Sequence, residues 1–159
     1  MNDYRKKTSI IILVIGILVF LWINTLVHEF GHYLMAKKLG YDGQLTLGIS
    51  GFGFLLDRAT ENKTDSVLIG ISGIIFGMIL PLFMLVANKT KYYLEVMAWG
   101  EIFNMAADLI RLGNDWIYLS EDLSLNPIIF RIIGLISLSI IWPKLSNAFN
   151  QYLTNKSSE

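Results

Sequence analysis

Long uncharged segments alternate with short polar ones along the chain. Residues 9–27 contain no charged side chain and follow Arg5, Lys6 and Lys7. A signal peptide has an apolar region of only about 7–15 residues followed by a small-residue cleavage site, whereas this run continues through a polar motif to Ala36. We therefore expect one long retained helix over residues 9–36 that ends near residues 37–40.

Three further hydrophobic segments are expected to cross the bilayer, at residues 66–87, 92–119 and 123–142. The first of these is uncharged, and as a helix it spans a hydrocarbon core of about 30 Å. Its glycines, Gly70, Gly73 and Gly77, are interpreted as a helix-packing face rather than as part of any chemistry. The last segment has Pro127 near its start and is expected to end at Pro143.

The segment 92–119 is unusual because polar and ionisable residues interrupt it. Such side chains are costly at membrane depth, so they normally face a bundle interior or a wet cavity and mark function. The interrupting residues are Glu95, Glu101, Asn104, Asp108, Arg111, Asn114 and Asp115.

The segment between the first two helices has β character. Leu45, Leu47 and Ile49 alternate with small or polar residues, which is typical of a short strand. Residues 51–56 follow closely enough to pair with it. We therefore expect a β-hairpin-like loop between helices 1 and 2.

Composition supports a membrane protein. The 159 residues are 53% hydrophobic and 16% charged, with a mean hydropathy of +0.51, whereas soluble domains carry about 25% charged residues. The fold class expected is an all-α integral membrane protein, a single domain over residues 1–159 with about four transmembrane helices, in the cell membrane.

Thirteen basic residues balance 13 acidic ones, so nucleic acid is not expected as a partner. Since cysteine is absent, a metal site would use His, Asp or Glu.

The polar motif in the first helix, residues 28–32, reads His-Glu-Phe-Gly-His and matches H-E-x-x-H. On a helix, residues four apart lie on one face, so His28 and His32 can bind one ion. Glu29 can take a proton from the attacking water. A chance pattern or a hydrogen-bonded histidine pair is a poor alternative, because these are the only histidines and a buried glutamate is costly.

A catalytic zinc ion needs a third protein ligand. Met35 and Lys38 stand where a metzincin would continue its motif, so that class is excluded. If the third ligand is a downstream glutamate, as in His₂Glu sites, the candidates are Glu61, Glu95 and Glu101.

Over residues 10–120 the chain resembles the site-2 protease family of intramembrane zinc metalloproteases. The resemblance rests on H-E-x-x-H in a first long apolar helix, a β-rich loop, a glycine-rich span, and a third span with Asn104 and a later aspartate. It implies a small, minimal-core member that hydrolyses peptide bonds in or near transmembrane segments of membrane-protein substrates. It also implies an aspartate as third zinc ligand and an asparagine, here Asn104, at the substrate cleft.

The third span departs from the family motif N-x-x-P-x-P-x-L-D-G. Residues 103–116 lack both prolines and the D-G pair. By this resemblance Asp115, after Gly113, is the first choice for the third ligand. Asp108 is the rival, because it lies one turn after Asn104 on the same face and, in an unbroken helix, nearer the depth of the histidines.

Two alternatives to this function remain. A membrane metallopeptidase of another family would use a glutamate as third ligand. A catalytically degenerate relative would bind partner helices, which the missing prolines favour and the intact motif of His28, Glu29 and His32 opposes. For an enzyme, the strand 45–50 or 51–56 offers an edge that could hold an unwound substrate by β-addition.

Overall fold

The computed structural model describes residues 2–48, 51–87 and 92–155. Within them the chain forms five helices and one two-stranded antiparallel sheet. The elements are α1 (Asn2–Lys38), β1 (Gly43–Gly48), β2 (Gly51–Leu56), α2 (Lys63–Ala87), α3 (Tyr92–Arg111), α4 (Asn114–Asp122) and α5 (Pro127–Asn155).

Three of the described helices are long and apolar enough to cross a membrane. They lie at Ile10–Lys38, Lys63–Val86 and Pro127–Thr154. The predicted fourth span, 92–119, does not form one helix. It is divided into α3 and α4, and its ionisable residues keep α3 from qualifying by composition.

The break between α3 and α4 occurs at Leu112 and Gly113. Leu112 has a left-handed φ of 56°, and the Gly113 N–H donates to the Asp108 carbonyl five residues earlier, at 3.1 Å. A left-handed residue with this hydrogen bond is a Schellman ending of a helix. α4 then begins at Asn114, with Asp115 in its first turn.

The last helix does not end at Pro143, contrary to the sequence prediction, but continues to Asn155. Proline lacks the N–H of one helical hydrogen bond, which favours a kink or an end. Here residues beyond it are held by packing, because Ala148 and Tyr152 are buried against Leu13 and Val96. This apolar contact joins the end of α5 to α1 and α3.

The predicted hairpin between helices 1 and 2 is confirmed. β1 pairs with β2 in the register Gly43↔Leu56 to Gly48↔Gly51, and Ile49 and Ser50 lie outside the described residues. The hairpin folds back along α1, since the Phe52 ring lies 4.9 Å from the Trp22 ring. β2 packs on α1 and β1 is the outer, more exposed strand.

Candidate metal centre

Two elements that are distant in sequence bring three possible metal ligands together. His28 and His32 lie on α1 and Asp115 on α4. Asp115 Oδ2 is 2.8 Å from His28 Nε2 and 3.3 Å from His32 Nε2. The two Nε2 atoms are 3.0 Å apart. Each side chain therefore points one ligand atom at a common point.

This donor set is close to the spacing that a small metal ion requires. Zinc bound tetrahedrally at about 2.0–2.2 Å separates its ligand atoms by about 3.3–3.6 Å. The observed separations of 2.8, 3.0 and 3.3 Å differ from this by about half an ångström or less. Two imidazoles and one carboxylate form a possible metal-binding triad, and with three protein ligands the site would keep a position for water or substrate.

A hydrogen bond to α2, on the side of the ring opposite the triad, fixes the orientation of His32. Its Nδ1–H donates to the Ile69 carbonyl of α2 at 2.7 Å, which leaves the Nε2 lone pair directed at the triad. The Ser72 hydroxyl lies within hydrogen-bond distance of the carbonyls of both Ile69 and Gly31. α2 therefore holds the backbone of α1 at Gly31 and the His32 imidazole in one arrangement.

The glycines of α2 make room for the imidazole rings. A Cβ on Gly73 would overlap Nε2 and Cε1 of His32, and a Cβ on Gly77 would stand 3.1 Å from His28 Nδ1. Gly70 instead faces Leu119. The sequence pattern indicated a helix-packing face, and the structure adds that two of its glycines lie directly behind the candidate ligands.

Glu29 lies beside the triad at the wall of a cavity. It is close enough to His28, His32 and Asp115 to interact electrostatically with them. The cavity has a volume of about 460 Å³ and is also lined by His32 and Asp115. Space for a substrate therefore adjoins both the candidate ligands and the candidate base.

Asp108, the rival ligand, lies near the triad but does not join it. Its carboxylate lies against Gly113, where a Cβ would overlap Oδ2, at the start of α4. A carboxylate at a helix N-terminus is favoured by the helix dipole. Because the helix breaks at Leu112, the depth argument for Asp108 in an unbroken helix does not apply.

The three glutamate candidates for the third ligand are also outside the triad, and the residue expected at the substrate cleft is Asn104. Asn104 is exposed on α3 and makes no side-chain hydrogen bond within the described part of the chain. Glu61 is exposed and pairs with Arg58 at 3.3 Å. Glu95 is half-buried on α3, and Glu101 is buried with Asn24 as its partner.

Sequence reasoning missed the residues that support the triad. Ser72 and the Ile69 carbonyl follow no motif, and only the register of α2 against α1 brings them to His32. The one available signal was the small-residue run containing Ser72 and Gly73, which indicates close approach of a neighbouring helix.

Comparison with known proteins identifies no relative. No protein-family model matches the chain, and no curated protein or solved structure is significantly similar to it.

Proposed function

We propose that this protein is an intramembrane zinc metalloprotease that hydrolyses peptide bonds in or near transmembrane segments of substrate proteins. The observation that carries the proposal is the convergence of His28 and His32 with Asp115, beside a cavity that Glu29 also lines. A two-histidine, one-carboxylate site next to a glutamate is the arrangement that metal-assisted peptide hydrolysis needs.

Zinc is the ion that fits the proposal, and His28, His32 and Asp115 would hold it. When bound, it would polarise the scissile carbonyl and lower the pKa of water. Glu29 would accept the proton of the attacking water and deliver it to the leaving amine. The Ile69 carbonyl would keep the His32 ring in its binding tautomer.

The membrane setting follows from the three apolar helices. We place the protein as a multi-pass membrane protein of the cell membrane, with α3 as a fourth, polar crossing inside the bundle. His28 and His32 lie ten and six residues before Lys38, the end of α1, or about 15 and 9 Å along the helix. Substrate bonds would therefore be cut below the membrane surface rather than in solution.

A substrate segment would bind as a strand along the free edge of β2. In an antiparallel pair, the backbone groups of successive residues point to opposite edges, so residues two apart point to the same edge. The Asp57 N–H donates to the Asp42 carbonyl, and in the register of the hairpin this directs the N–H groups of Phe52 and Phe54 away from β1, toward the free edge. Open sheet edges at membrane depth are tolerated only where they line protein or water, and Phe54 lines the cavity.

Phe52→Pro is expected to reduce cleavage severalfold without removing zinc. It deletes an N–H on the proposed substrate edge and not one used for pairing with β1. Phe52→Leu is the matched control, because it also loses the ring contact with Trp22 but keeps the N–H. Equal cleavage by the two variants, in an assay with a membrane-embedded substrate, would count against β-addition. Ile49→Pro, for which the sequence also predicts reduced cleavage, falls on a residue outside the described part of the chain.

Glu29→Gln tests the proposed activity itself. We expect zinc content to be unchanged and hydrolysis of membrane-embedded peptides in vesicles to fall by about 10²–10⁴-fold, because glutamine cannot take a proton. Glu61→Gln is the control, since Glu61 is exposed and outside the site, and it should cleave normally. If Glu29→Gln still cleaves the substrate, Glu29 is not the general base. A native protein that holds zinc but cleaves nothing would favour the helix-binding alternative.

A further inference from the structure

A second polar pair is buried between α1 and α3, away from the metal triad. Asn24 and Glu101 are only 2% and 5% exposed. The Asn24 Nδ2–H donates to Glu101 Oε1 at 2.7 Å. Asn24 Oδ1 and Glu101 Oε2 are buried without a hydrogen-bond partner among the described residues.

If Glu101 were ionised, Asn24 Oδ1 and Glu101 Oε2 would both stay without a hydrogen-bond partner. Both would be acceptors, so neither could satisfy the other, and unpaired buried polar groups are costly. A buried carboxylate also needs a cation or several donors, yet no Lys or Arg forms an ion pair with Glu101 within the described ranges. His28 is the ionisable side chain near enough to interact electrostatically with Glu101.

A proton on Glu101 Oε2 would give both atoms a hydrogen-bond partner and would neutralise the buried carboxylate. A carboxylic acid presents an O–H donor beside a C=O acceptor, and a primary amide presents an N–H donor beside a C=O acceptor. The two groups are therefore complementary and can share two hydrogen bonds. The proton would remove the buried charge, and the O–H would have an acceptor in the second unpartnered atom, Asn24 Oδ1.

We propose that Glu101 is uncharged in the folded protein and that its Oε2–H donates to Asn24 Oδ1, so that the two side chains form an acid–amide pair joining α1 to α3. Asn24 lies one helical turn before His28, and α3 leads through Leu112 to Asp115. Asn24 and Glu101 are thus positioning residues, which hold the histidine helix in register with the segment that carries the aspartate. This inference does not depend on proteolysis.

Infrared spectroscopy tests the proton directly. A protonated carboxyl group has a C=O stretching band at higher frequency than a carboxylate. The difference spectrum between the native protein and Glu101→Gln, in vesicles at neutral pH, should contain such a band in the native protein, shifted when the exchangeable proton is replaced by deuterium. A difference spectrum that contains only carboxylate bands would overturn the proposal.

Rescue by the isostere gives a second, independent test. Glutamine at 101 keeps an acceptor for Asn24 Nδ2 and supplies a donor for Oδ1, so Glu101→Gln should retain native thermal stability and zinc affinity. Glu101→Leu and Asn24→Leu each leave the other side chain unpaired, and should lower the Tm by several degrees and weaken zinc binding severalfold. Glu95→Gln controls for loss of a glutamate on α3. If Glu101→Gln is as damaging as Glu101→Leu, the carboxyl acts in its charged form and the proposal is wrong.

Discussion

Asp115→Asn is expected to weaken zinc binding by more than about 100-fold, since even loss of an outer partner of a metal ligand costs about 10–100-fold. The Asp115 Oδ2 atom lies within 3.3 Å of both imidazole Nε2 atoms. An asparagine keeps the shape of the side chain but is a poor ligand, because its oxygen is uncharged. Hydrolysis should be lost together with the metal.

Asp108→Asn is the matched control for this substitution. It removes the same charge from a nearby aspartate whose carboxylate faces Gly113 and not the imidazoles. Zinc affinity, measured by competition with a chelator, should change little. The opposite result, in which Asp108→Asn loses the metal and Asp115→Asn keeps it, would show that the α3–α4 break is not the arrangement that binds zinc.

Gly73→Ala is also expected to weaken zinc binding, here through a steric clash alone. The added Cβ would overlap His32 Nε2 and Cε1 and stand 2.7 Å from Cδ2, so the ring must leave its position or α2 must move away from α1. Either movement breaks the hydrogen bond from His32 to the Ile69 carbonyl. We expect zinc affinity to fall by at least about tenfold.

Gly100→Ala separates this steric effect from a general effect of alanine. Gly100 is also helical, and a Cβ there meets no heavy atom within 4 Å. Both substitutions favour the helix by up to about 1 kcal/mol, so only Gly73→Ala should lose metal. Normal zinc affinity in Gly73→Ala would mean that the α1–α2 distance at the site is larger than the structure has it.

Local patterns predicted part of the fold. The long first helix and the hairpin were both predicted, because an uncharged run and a strict alternation of Leu45 and Leu47 with Thr46 and Gly48 depend on neighbouring residues only. Tertiary contacts determined the rest. α5 continues past Pro143 because Ala148 and Tyr152 are buried, and no sequence period signals that contact.

The candidate site shows the same division. His28 and His32 could be paired from their spacing, since a helix brings residues four apart to one face. The position of Asp115 beside these histidines could not be predicted from spacing. It depends on a left-handed φ at Leu112, and leucine rarely adopts that conformation. The resemblance to site-2 proteases pointed to Asp115, and helix geometry alone favoured Asp108. The Asn24–Glu101 pair was not foreseen, because its members are 77 residues apart.

A zinc centre built by His28, His32 and Asp115 can be tested by metal analysis together with X-ray absorption spectroscopy at the zinc edge, on the native protein in lipid. We predict about one zinc ion per chain, with only nitrogen and oxygen ligands at about 2.0–2.2 Å and a signature of two imidazoles. Retention of iron in preference to zinc would exclude the proposed metal. A protein that retains no metal after supplementation, or that binds zinc without an imidazole ligand, would show that His28, His32 and Asp115 do not form a zinc centre.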